Sequence, residues 1–401
     1  MKVLISGASI SGPVLAYWLT RSGHDVTIVE RAPQLRKTGG HAVDLFRPAM
    51  EISHRMGVGP HIEARATGTR KLKAHRPWAS HPADIDYIKL IATISDRHVE
   101  IMRDDLSQIY YAATCDDVEY VFGDQISAIT EEGEVTFERG ASRRFDLIVG
   151  ADGLHSGVRR IVFGDNAAEK FLGYYLGVAS VPKSLAHAGC MTAFYEPGRI
   201  AMVYTADHLD DARAVFIFRQ NPPLDYDYRN TERQRAQLRT TFEGMSGQVG
   251  HWLDEVDRAP AFYFDAVTQL EMSTWSRGRV TLVGDAGYCP GPAVGGSTTL
   301  AVYGAYVLAA EIARYGSDHI AAFAAYEQKM MQPVHASRSL AKFNAKTLVP
   351  ESRRRIEGLV AVARAVSALP FGLTRALARL ELNRRGPSLY DAMQLPDYPA
   401  E

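Results

Sequence analysis

The stretch Lys2-Val-Leu-Ile-Ser-Gly7-Ala-Ser-Ile-Ser-Gly12-Pro13, at the start of the chain, decides the fold. Its first five residues form a short apolar run that is typical of a buried strand. A helix is predicted from Pro13 to Arg21, because proline favours its first turn and Gly23 follows its end. A second strand, Val26 to Val29, is closed by Glu30. Strand, glycine turn, helix, strand and acid in this order predict a dinucleotide-binding unit.

The small residues of the turn each have a predicted task at a bound dinucleotide. Gly7 permits the sharp turn, and Gly12 lets the helix pack on the strand. Ser9 stands where the middle glycine is usual, and it is small enough for a pyrophosphate to approach the backbone. Ile10 and Ser11 lie at the helix start, where N–H groups and the positive end of the helix dipole face the phosphates.

Glu30 stands eighteen residues after Gly12, a spacing at which a carboxylate can accept hydrogen bonds from the adenosine ribose. Arg31 follows it and is a second candidate at the nucleotide. A parallel α/β unit whose glycines serve only as turns is the alternative to nucleotide binding. A secretory signal is another alternative, and the interruption from Ser6 to Gly12 argues against it.

The composition is ordinary for a globular protein. The 401 residues suffice for two domains, and 46% hydrophobic with 23% charged residues allow a large core. The 45 basic and 46 acidic residues give a net charge of −1, which argues against nucleic acid as a partner. The cysteines have no metal or redox spacing, so we expect no metal and a cytoplasmic location. No apolar run has the length of a transmembrane segment. The protein is expected to be a monomer or a homodimer.

The first third of the chain also contains a glycine-rich loop and several short strands. Residues 38–45 are predicted to form a loop whose double glycine allows a close approach to a flat or bulky group, and a helix follows at Pro48 to Met56. Two alternating runs between Tyr87 and Met102 are predicted to pair as strands. A helix is predicted to begin at Arg103, and three strands between Val118 and Phe137 are predicted to form a meander.

Two later strands also end in glycine and an acid. Phe145 to Val149 leads into Gly150-Ala-Asp152-Gly153 and a helix. Arg279 to Val283 leads into Gly284-Asp285 and a loop rich in glycine and proline. A helix is predicted after this loop, from about Gly296 to Tyr315. Its first N–H groups can stabilise negative charge on a ligand, and they belong to Gly295, Gly296 and Ser297.

Residues 171–270 have a different pattern. Five aromatic and β-branched runs at hairpin spacing predict an antiparallel sheet, with a polar helix from Arg229 to Phe242 between the last two strands. Helices are predicted over the remainder, at Ile320 to Met331, Arg353 to Leu369 and Thr374 to Leu382.

The three glycine–acid junctions, in this order, resemble those of the single-component FAD-dependent aromatic hydroxylases of the para-hydroxybenzoate hydroxylase fold. The resemblance covers roughly residues 1 to 335. It implies that the Gly7 to Gly12 turn and Glu30 bind FAD. It also implies that Asp152 and Gly153 help to organise the FAD side and the route of the nicotinamide cofactor.

Asp285 looks like the family's acid that binds the ribityl and pyrophosphate part of FAD, and Arg103 sits where the family carries an arginine close to FAD. The chain departs from the family in the third junction. Tyr288 replaces the usual histidine, and Gly291 replaces a proline before the retained Pro292. Flavin binding is expected to survive, because backbone N–H groups make the contact. The chain resembles the short branch without a thioredoxin-like domain, which includes polyketide, antibiotic-modifying and salicylate-type hydroxylases.

The resemblance implies an FAD-dependent monooxygenase that consumes NADPH or NADH and O2. Its expected reaction is hydroxylation of an aromatic or polyketide-like small molecule through a C4a-hydroperoxyflavin, with FAD bound non-covalently. Flavin-side candidates for catalysis are Arg47, Tyr288 and His41. The alternatives are an FAD-dependent reductase or dehydrogenase of the same superfamily, and a non-catalytic flavin-binding protein.

The predicted fold class is α/β, with a Rossmann-like FAD-binding domain built on a parallel sheet, an antiparallel-sheet substrate domain and C-terminal helices. Residues 1–70, 98–170 and 271–345 are assigned to the FAD-binding domain. Residues 71–97 and 171–270 are assigned to the substrate domain, and 346–401 to the C-terminal helical segment.

Overall fold

The computed structural model describes residues 1–35, 39–93, 95, 97–164, 167–225, 230–291, 296–374, 390 and 393–397, without the side chains of 343 and 346. The strands are β1 (Lys2–Ser6), β2 (Asp25–Glu30), β3 (Ala42–Leu45), β4 (Lys71–His75), β5 (Ala83–Asp86), β6 (Val99–Met102), β7 (Glu119–Phe122), β8 (Ile126–Ile129), β9 (Glu134–Phe137), β10 (Arg143–Arg144), β11 (Leu147–Gly150), β12 (Ala168–Pro182), β13 (Cys190–Glu196), β14 (Arg199–Tyr204), β15 (Asp211–Arg219), β16 (Phe262–Glu271), β17 (Ser276–Arg277) and β18 (Val280–Leu282). The helices are α1 (Ser11–Arg21), α2 (Arg47–Arg55), α3 (Gly59–Ala64), α4 (Tyr87–Ala92), α5 (Arg103–Ala112), α6 (Gly157–Phe163), α7 (Thr231–Phe242), α8 (Gly247–Arg258), α9 (Asp285–Tyr288), α10 (Ser297–Tyr315), α11 (His319–Leu348) and α12 (Arg353–Ala368).

A six-stranded sheet has the order β17-β18-β11-β1-β2-β7. All its pairings are parallel except that of the edge strand β17 with β18. β11 is buried along its whole length and β1 is buried from Val3 to Ser6, because α1 packs on β1 and β2, and α6 packs on β11 and β18. This sheet confirms the predicted Rossmann-like half of the fold.

A seven-stranded sheet has the order β16-β12-β15-β14-β13-β4-β5. Its strands pair antiparallel except β13 and β4, which are parallel. One face packs on α7 and α8, and the other packs on α11 and α12. The predicted antiparallel sheet is confirmed. Its last two strands, β4 and the edge strand β5, come from residues 71–86. The domain boundaries themselves stay a prediction.

The predicted strand pair between Tyr87 and Met102 is wrong. Tyr87–Ala92 is the helix α4, because the Asp86 carboxylate accepts the N–H of Lys89 at 3.1 Å and caps its start. Only the second run is a strand, and β6 pairs antiparallel with β3, far away in sequence. Local alternation predicted an extended chain, and the cap overrode it.

The predicted meander is only partly correct. β7 leaves it to pair in parallel with β2, while β8, β9 and β10 form a separate three-stranded sheet. The structure also adds α8, which the sequence analysis did not predict, after the predicted helix α7.

The C-terminal helices are longer or differently bounded than predicted. α11 continues from His319 through Pro333 to Leu348, because its apolar residues pack first on α10 and then on the seven-stranded sheet. α12 ends one residue before the predicted end, at Ala368. The predicted helix beyond Thr374 lies outside the described residues. In the part of the chain that is described, no helix is long and apolar enough to span a bilayer.

Candidate cofactor-binding site

Four adjacent strands of the parallel sheet end at one edge, in the order β18, β11, β1, β2. Asp285 follows β18 and Asp152 follows β11 within three residues, Gly7 comes directly after β1, and β2 ends in Glu30. Carboxyl ends of neighbouring parallel strands are where α/β sheets bind ligands. The sheet order therefore brings the three junctions, which are far apart in the chain, into one line.

The first turn is packed so closely that only glycine fits. A Cβ atom on Gly12 would lie 2.0 Å from the carbonyl oxygen of Gly7. A Cβ on Gly7 would lie 2.4 Å from the carbonyl oxygen of Ala151, and the φ of Gly7 is +112°. The turn thus touches its own helix and the second junction, and it leaves backbone N–H groups at the start of α1 beside the buried Ile10 and Ser11.

Glu30 lies at the end of β2, directly beside the turn. Its carboxylate accepts the N–H of Ala8 at 3.0 Å and the N–H of Ala32 at 2.9 Å. These bonds fix the carboxylate at the end of β2, against the first turn. Arg31 follows as an exposed residue.

The second junction uses Asp152 to hold its own loop. The carboxylate accepts the Ser156 hydroxyl at 2.5 Å and the Gly157 N–H at 2.8 Å, so it caps α6. Burial raises the pKa of Asp152, and these hydrogen bonds oppose the shift. Gly153 has a φ of +80°, which only a residue without a side chain adopts readily. Asp152 therefore shapes the loop, whatever else it contacts.

Arg159 ties the second junction to the third. Its buried guanidinium donates to the carbonyl of Ala286 at 2.9 Å and to that of Leu154 at 2.5 Å. The two loops are thereby held in register by one side chain.

Asp285 begins α9 and is half-buried beneath the first turn. The preceding Gly284 has a φ of +68°, and a Cβ there would lie 3.1 Å from the Ser11 hydroxyl. Burial raises the pKa of Asp285, whereas the positive charge of Arg103 opposes that rise. The third junction is thus in contact with the start of α1.

Arg103 begins α5 and points its guanidinium toward the first turn, with Nη2 3.4 Å from the Ser9 hydroxyl. Its charge also acts on His41 and on Asp285. One cation therefore lies among residues of the turn, the double-glycine loop and the third junction.

The third loop ends at Gly296, whose φ is +83°. A Cβ there would lie 2.0 Å from the ring of Tyr390, which stacks on Phe46 with ring centroids 5.2 Å apart. Ser297 then begins α10. Pro292 and Gly295 lie outside the described residues.

The three candidates for catalysis have different surroundings. Burial and the nearby Arg103 lower the pKa of His41 to about 4, so this imidazole is neutral at pH 7 and a weak base. The Tyr288 side chain is fully buried in the core, with its hydroxyl 3.0 Å from that of Tyr326. Arg47 is half-buried at the first position of α2. The structure places His41 beside Arg103 and does not bring Tyr288 to the sheet edge.

The seven-stranded sheet reaches the same region through residues that the sequence analysis missed. The buried Arg213 donates to the carbonyl of Gly40 at 2.8 Å, and the Gly40 N–H donates to Asp104 at 2.8 Å. Tyr204 accepts the N–H of Ala42 at 2.8 Å. No local motif marks Arg213 or Tyr204, since only strand order makes them neighbours of the double-glycine loop.

A second missed network joins the two sheets. The Asp265 carboxylate lies 2.9 Å from Nε2 of His155 and accepts the Tyr263 hydroxyl at 3.3 Å. This hydrogen bond to Asp265 raises the pKa of His155. The Tyr263 ring lies 6.3 Å from that of His41, between centroids. The only sequence signal was the position of His155 in the second junction.

Comparison with known proteins agrees with this geometry. Residues 1–331 match the FAD binding domain family. An uncharacterized protein of Mycobacterium tuberculosis H37Rv is 39% identical over 363 residues, which are 89% of this chain and 97% of the relative. A flavin-dependent monooxygenase of Legionella longbeachae is 32% identical over 343 residues, covering 84% of this chain and 87% of the relative.

A solved structure is similar over the whole length. The crystal structure of the tetracycline destructase Tet(55) superposes with a TM-score of 0.82 at 30% identity, covering 99% of this chain and 98% of that one. The likeness extends beyond the cofactor half to the seven-stranded sheet and the C-terminal helices.

Proposed function

The chain belongs to the FAD-binding family of aromatic-hydroxylase-type flavin-dependent monooxygenases, and we propose that it hydroxylates an aromatic or polyketide-like small molecule with NAD(P)H and O2. The observation that carries the proposal is the line of Asp285, Asp152, Gly7 and Glu30 along one edge of the parallel sheet. Family membership supplies the reaction class, and the sheet edge supplies a place for the cofactor.

The residues at this edge fit FAD. Gly7 and Gly12 let the turn pack closely at the start of α1, where a pyrophosphate would meet the first backbone N–H groups of the helix. Glu30 is held where it can accept ribose hydroxyls, and Asp285 is half-buried where it can accept those of the ribityl chain. Arg103, with Ser9, would offset the phosphate charge. When bound, FAD supplies the redox chemistry that takes electrons from NAD(P)H and delivers oxygen to the substrate.

The remaining tasks of the protein follow from its own side chains. The N-terminus of α10 at Gly296 and Ser297 would stabilise negative charge on the flavin ring. His41, neutral at pH 7, can donate or accept one hydrogen bond without adding charge. Because its pKa is about 4, we do not propose it as the base that ionises a phenol. Tyr288 is proposed to pack the core beneath the third loop.

The substrate is proposed to lie between the cofactor edge and the seven-stranded sheet, near Tyr263, His41 and Tyr204. These rings and hydroxyls suit a planar phenolic compound. The likeness to tetracycline destructases makes tetracycline the first compound to test. A cytoplasmic protein, monomeric or homodimeric, is proposed as well, and the free thiols of Cys115, Cys190 and Cys289 support that location.

The test is oxygen-dependent NAD(P)H oxidation by FAD-loaded protein with a panel of polycyclic phenols that includes tetracycline. We expect at least one compound to accelerate NAD(P)H oxidation and to gain one oxygen atom by mass spectrometry. Reduced product without added oxygen would favour a reductase, and FAD binding without any turnover would favour a non-catalytic flavoprotein.

A further inference from the structure

A cavity of about 360 Å³ lies away from the cofactor edge, between α4, β6 and the segment 66–70. It opens at the far end of the β3–β6 ribbon, whose near end carries His41 and Arg103. None of its lining residues belongs to the three glycine–acid junctions. The cavity therefore needs its own explanation.

Two carboxylates lie opposite each other on the ribbon. Glu100 lines the cavity, and Asp44, which is not among the lining residues, is the direct cross-strand partner of Glu100. Like charges in such a position repel each other and destabilise the pairing. His98 Nε2 lies 2.7 Å from the Asp44 carboxylate, so Asp44 already has a partner. Glu100 is the carboxylate that faces the cavity.

Glu100 has hydrogen-bond donors but no cation. Its carboxylate accepts the Tyr87 hydroxyl at 3.1 Å and the hydroxyl of Thr67. Across the described ranges, no lysine or arginine forms an ion pair with Glu100 or Asp44. Burial, and then the charge of Asp44, raise the pKa of Glu100. A buried carboxylate in this setting gains from any cation that can reach it.

Apolar side chains form one part of the cavity wall, beside the polar Thr67, Thr69 and Ser95. Ile91, Ala92 and Val99 line its walls. At its mouth, Ile88 and Phe371 are 47% and 42% exposed, which is high for large hydrophobic residues. Arg70 and exposed Glu63 carry opposite charges at the outer rim, where water screens both.

We propose that this cavity binds a small organic cation, an ammonium group on an aromatic or aliphatic body, with Glu100 as its counter-ion. Glu100 meets the positive nitrogen, and the side chains of Ile91, Ala92 and Val99 meet the body. Ile88 and Phe371 would be covered when the cavity is filled. The assignment depends on the cavity and its charges and not on the proposed hydroxylation.

The test uses isothermal titration of FAD-loaded protein with benzylamine and with benzyl alcohol, which differ in charge and little in shape. We expect benzylamine to bind about tenfold more tightly than the alcohol. Glu100→Gln keeps the shape and removes the charge, so it should abolish that preference while benzyl alcohol binds as before. Equal affinity of the two probes for the unmodified protein would overturn the proposal.

A second variant guards against a folding defect in Glu100→Gln. Ile88→Arg places a cation at the exposed mouth and should weaken benzylamine binding by about tenfold through repulsion. Ile320→Arg makes the same change at an isoleucine that is 58% exposed at the start of α11, outside the cavity, and should leave both affinities unchanged. Full retention of the amine preference in Ile88→Arg would also overturn the proposal.

The cation could be the basic group of the substrate or a separate effector. If the proposed function holds, the two sources can be separated with two substrates that differ only in whether they carry an amine. A rise in KM for the amine alone in Glu100→Gln identifies the substrate's own nitrogen. A change in turnover of the neutral compound on adding benzylamine identifies an effector. The binding titration with benzylamine and benzyl alcohol tests the cavity even if the protein turns over neither substrate.

Discussion

The two sheets build their parts of the site in different ways. At the edge of the parallel sheet the loops pack through their backbones, because Gly7, Gly12 and Gly284 allow three loops to lie within a few ångströms of one another. At the seven-stranded sheet, long side chains reach across instead, as Arg213 does to Gly40 and Asp265 does to His155. We expect the glycine turns of the parallel sheet to tolerate almost no substitution. We expect the seven-stranded sheet to keep its fold when one of these side chains is replaced.

The pKa values of two histidines shift in opposite directions because their surroundings differ in burial and in charge. His41 is half-buried beside Arg103, and desolvation together with that positive charge lowers its pKa to about 4. His155 lies beside the Asp265 carboxylate, so its pKa rises above the ordinary value. A residue type that looks equivalent in the sequence therefore has a charge set by its tertiary neighbours.

The largest effect is expected for Gly12→Ala. The added methyl group would meet the Gly7 carbonyl at 2.0 Å, and the turn would have to move away from the start of α1, where we propose that the pyrophosphate binds. We expect a loss of about 3 kcal/mol in the free energy of unfolding and no measurable FAD binding. Thermal melting and FAD titration measure both. Gly250→Ala, in α8 with nothing within 4 Å, is the control and should melt no lower than the unmodified protein. Normal FAD binding by Gly12→Ala would contradict the backbone construction.

Asp285→Ala tests the side-chain contribution at the same edge. If the carboxylate accepts ribityl hydroxyls, each lost charge-assisted bond costs about 1.5–3 kcal/mol, or roughly one to two orders of magnitude in the FAD dissociation constant. Asp285→Asn keeps one acceptor and should lose less. Because burial raises the pKa of Asp285, both changes should stabilise the flavin-free protein slightly at high pH. Unchanged dissociation constants in both variants would remove Asp285 from the site.

His41 should make stability depend on pH in a defined window. Its pKa is about 4 in the folded chain and 6.5 ordinarily, so the unfolded chain binds more protons between these values. The free energy of unfolding should therefore rise as pH increases from about 4 to 6.5 and then level off. His41→Gln should flatten this slope in urea titrations at a series of pH values. An identical slope in the variant would show that other groups produce it.

The smallest effect is expected at the junction of the sheets. Asp265→Asn removes the carboxylate that raises the pKa of His155, so that pKa should return toward 6.5. The contribution of protonated His155 to the free energy of unfolding is fully present below pH 6.5 and is lost as the pH rises through its pKa in the folded chain. The variant should lack this contribution. Because the His155 side chain is 39% exposed, the change in stability should be slight. NMR titration of the imidazole measures the shift, and an unaltered titration midpoint would exclude Asp265 as its cause.

Most of the helices and strands followed from local sequence patterns. The predictions for α4 and α11 were wrong because contacts that the local pattern does not show decided these elements. The strand–glycine–helix units at Gly7 and Asp152 and the strands of residues 171–270 were predicted from periodicity and turn residues, and they are confirmed. The residues of α4 were predicted as a strand because the run from Tyr87 to Ile91 was interpreted as alternating, whereas the structure has a helix whose start is capped by Asp86. α11 was predicted to end before Pro333, whereas packing on two neighbours carries the helix past it.

The sequence by itself determined the three glycine–acid junctions and the positions of Glu30 and Arg103, because turns, caps and strand ends depend on nearest neighbours along the chain. Only the tertiary structure decided that the junctions lie on adjacent strands, that β6 pairs with β3, and that Asp44 faces Glu100 beside a cavity. It also decided the charge state of His41 and the burial of Tyr288. Such properties depend on groups brought together across long stretches of chain, and no local pattern encodes them.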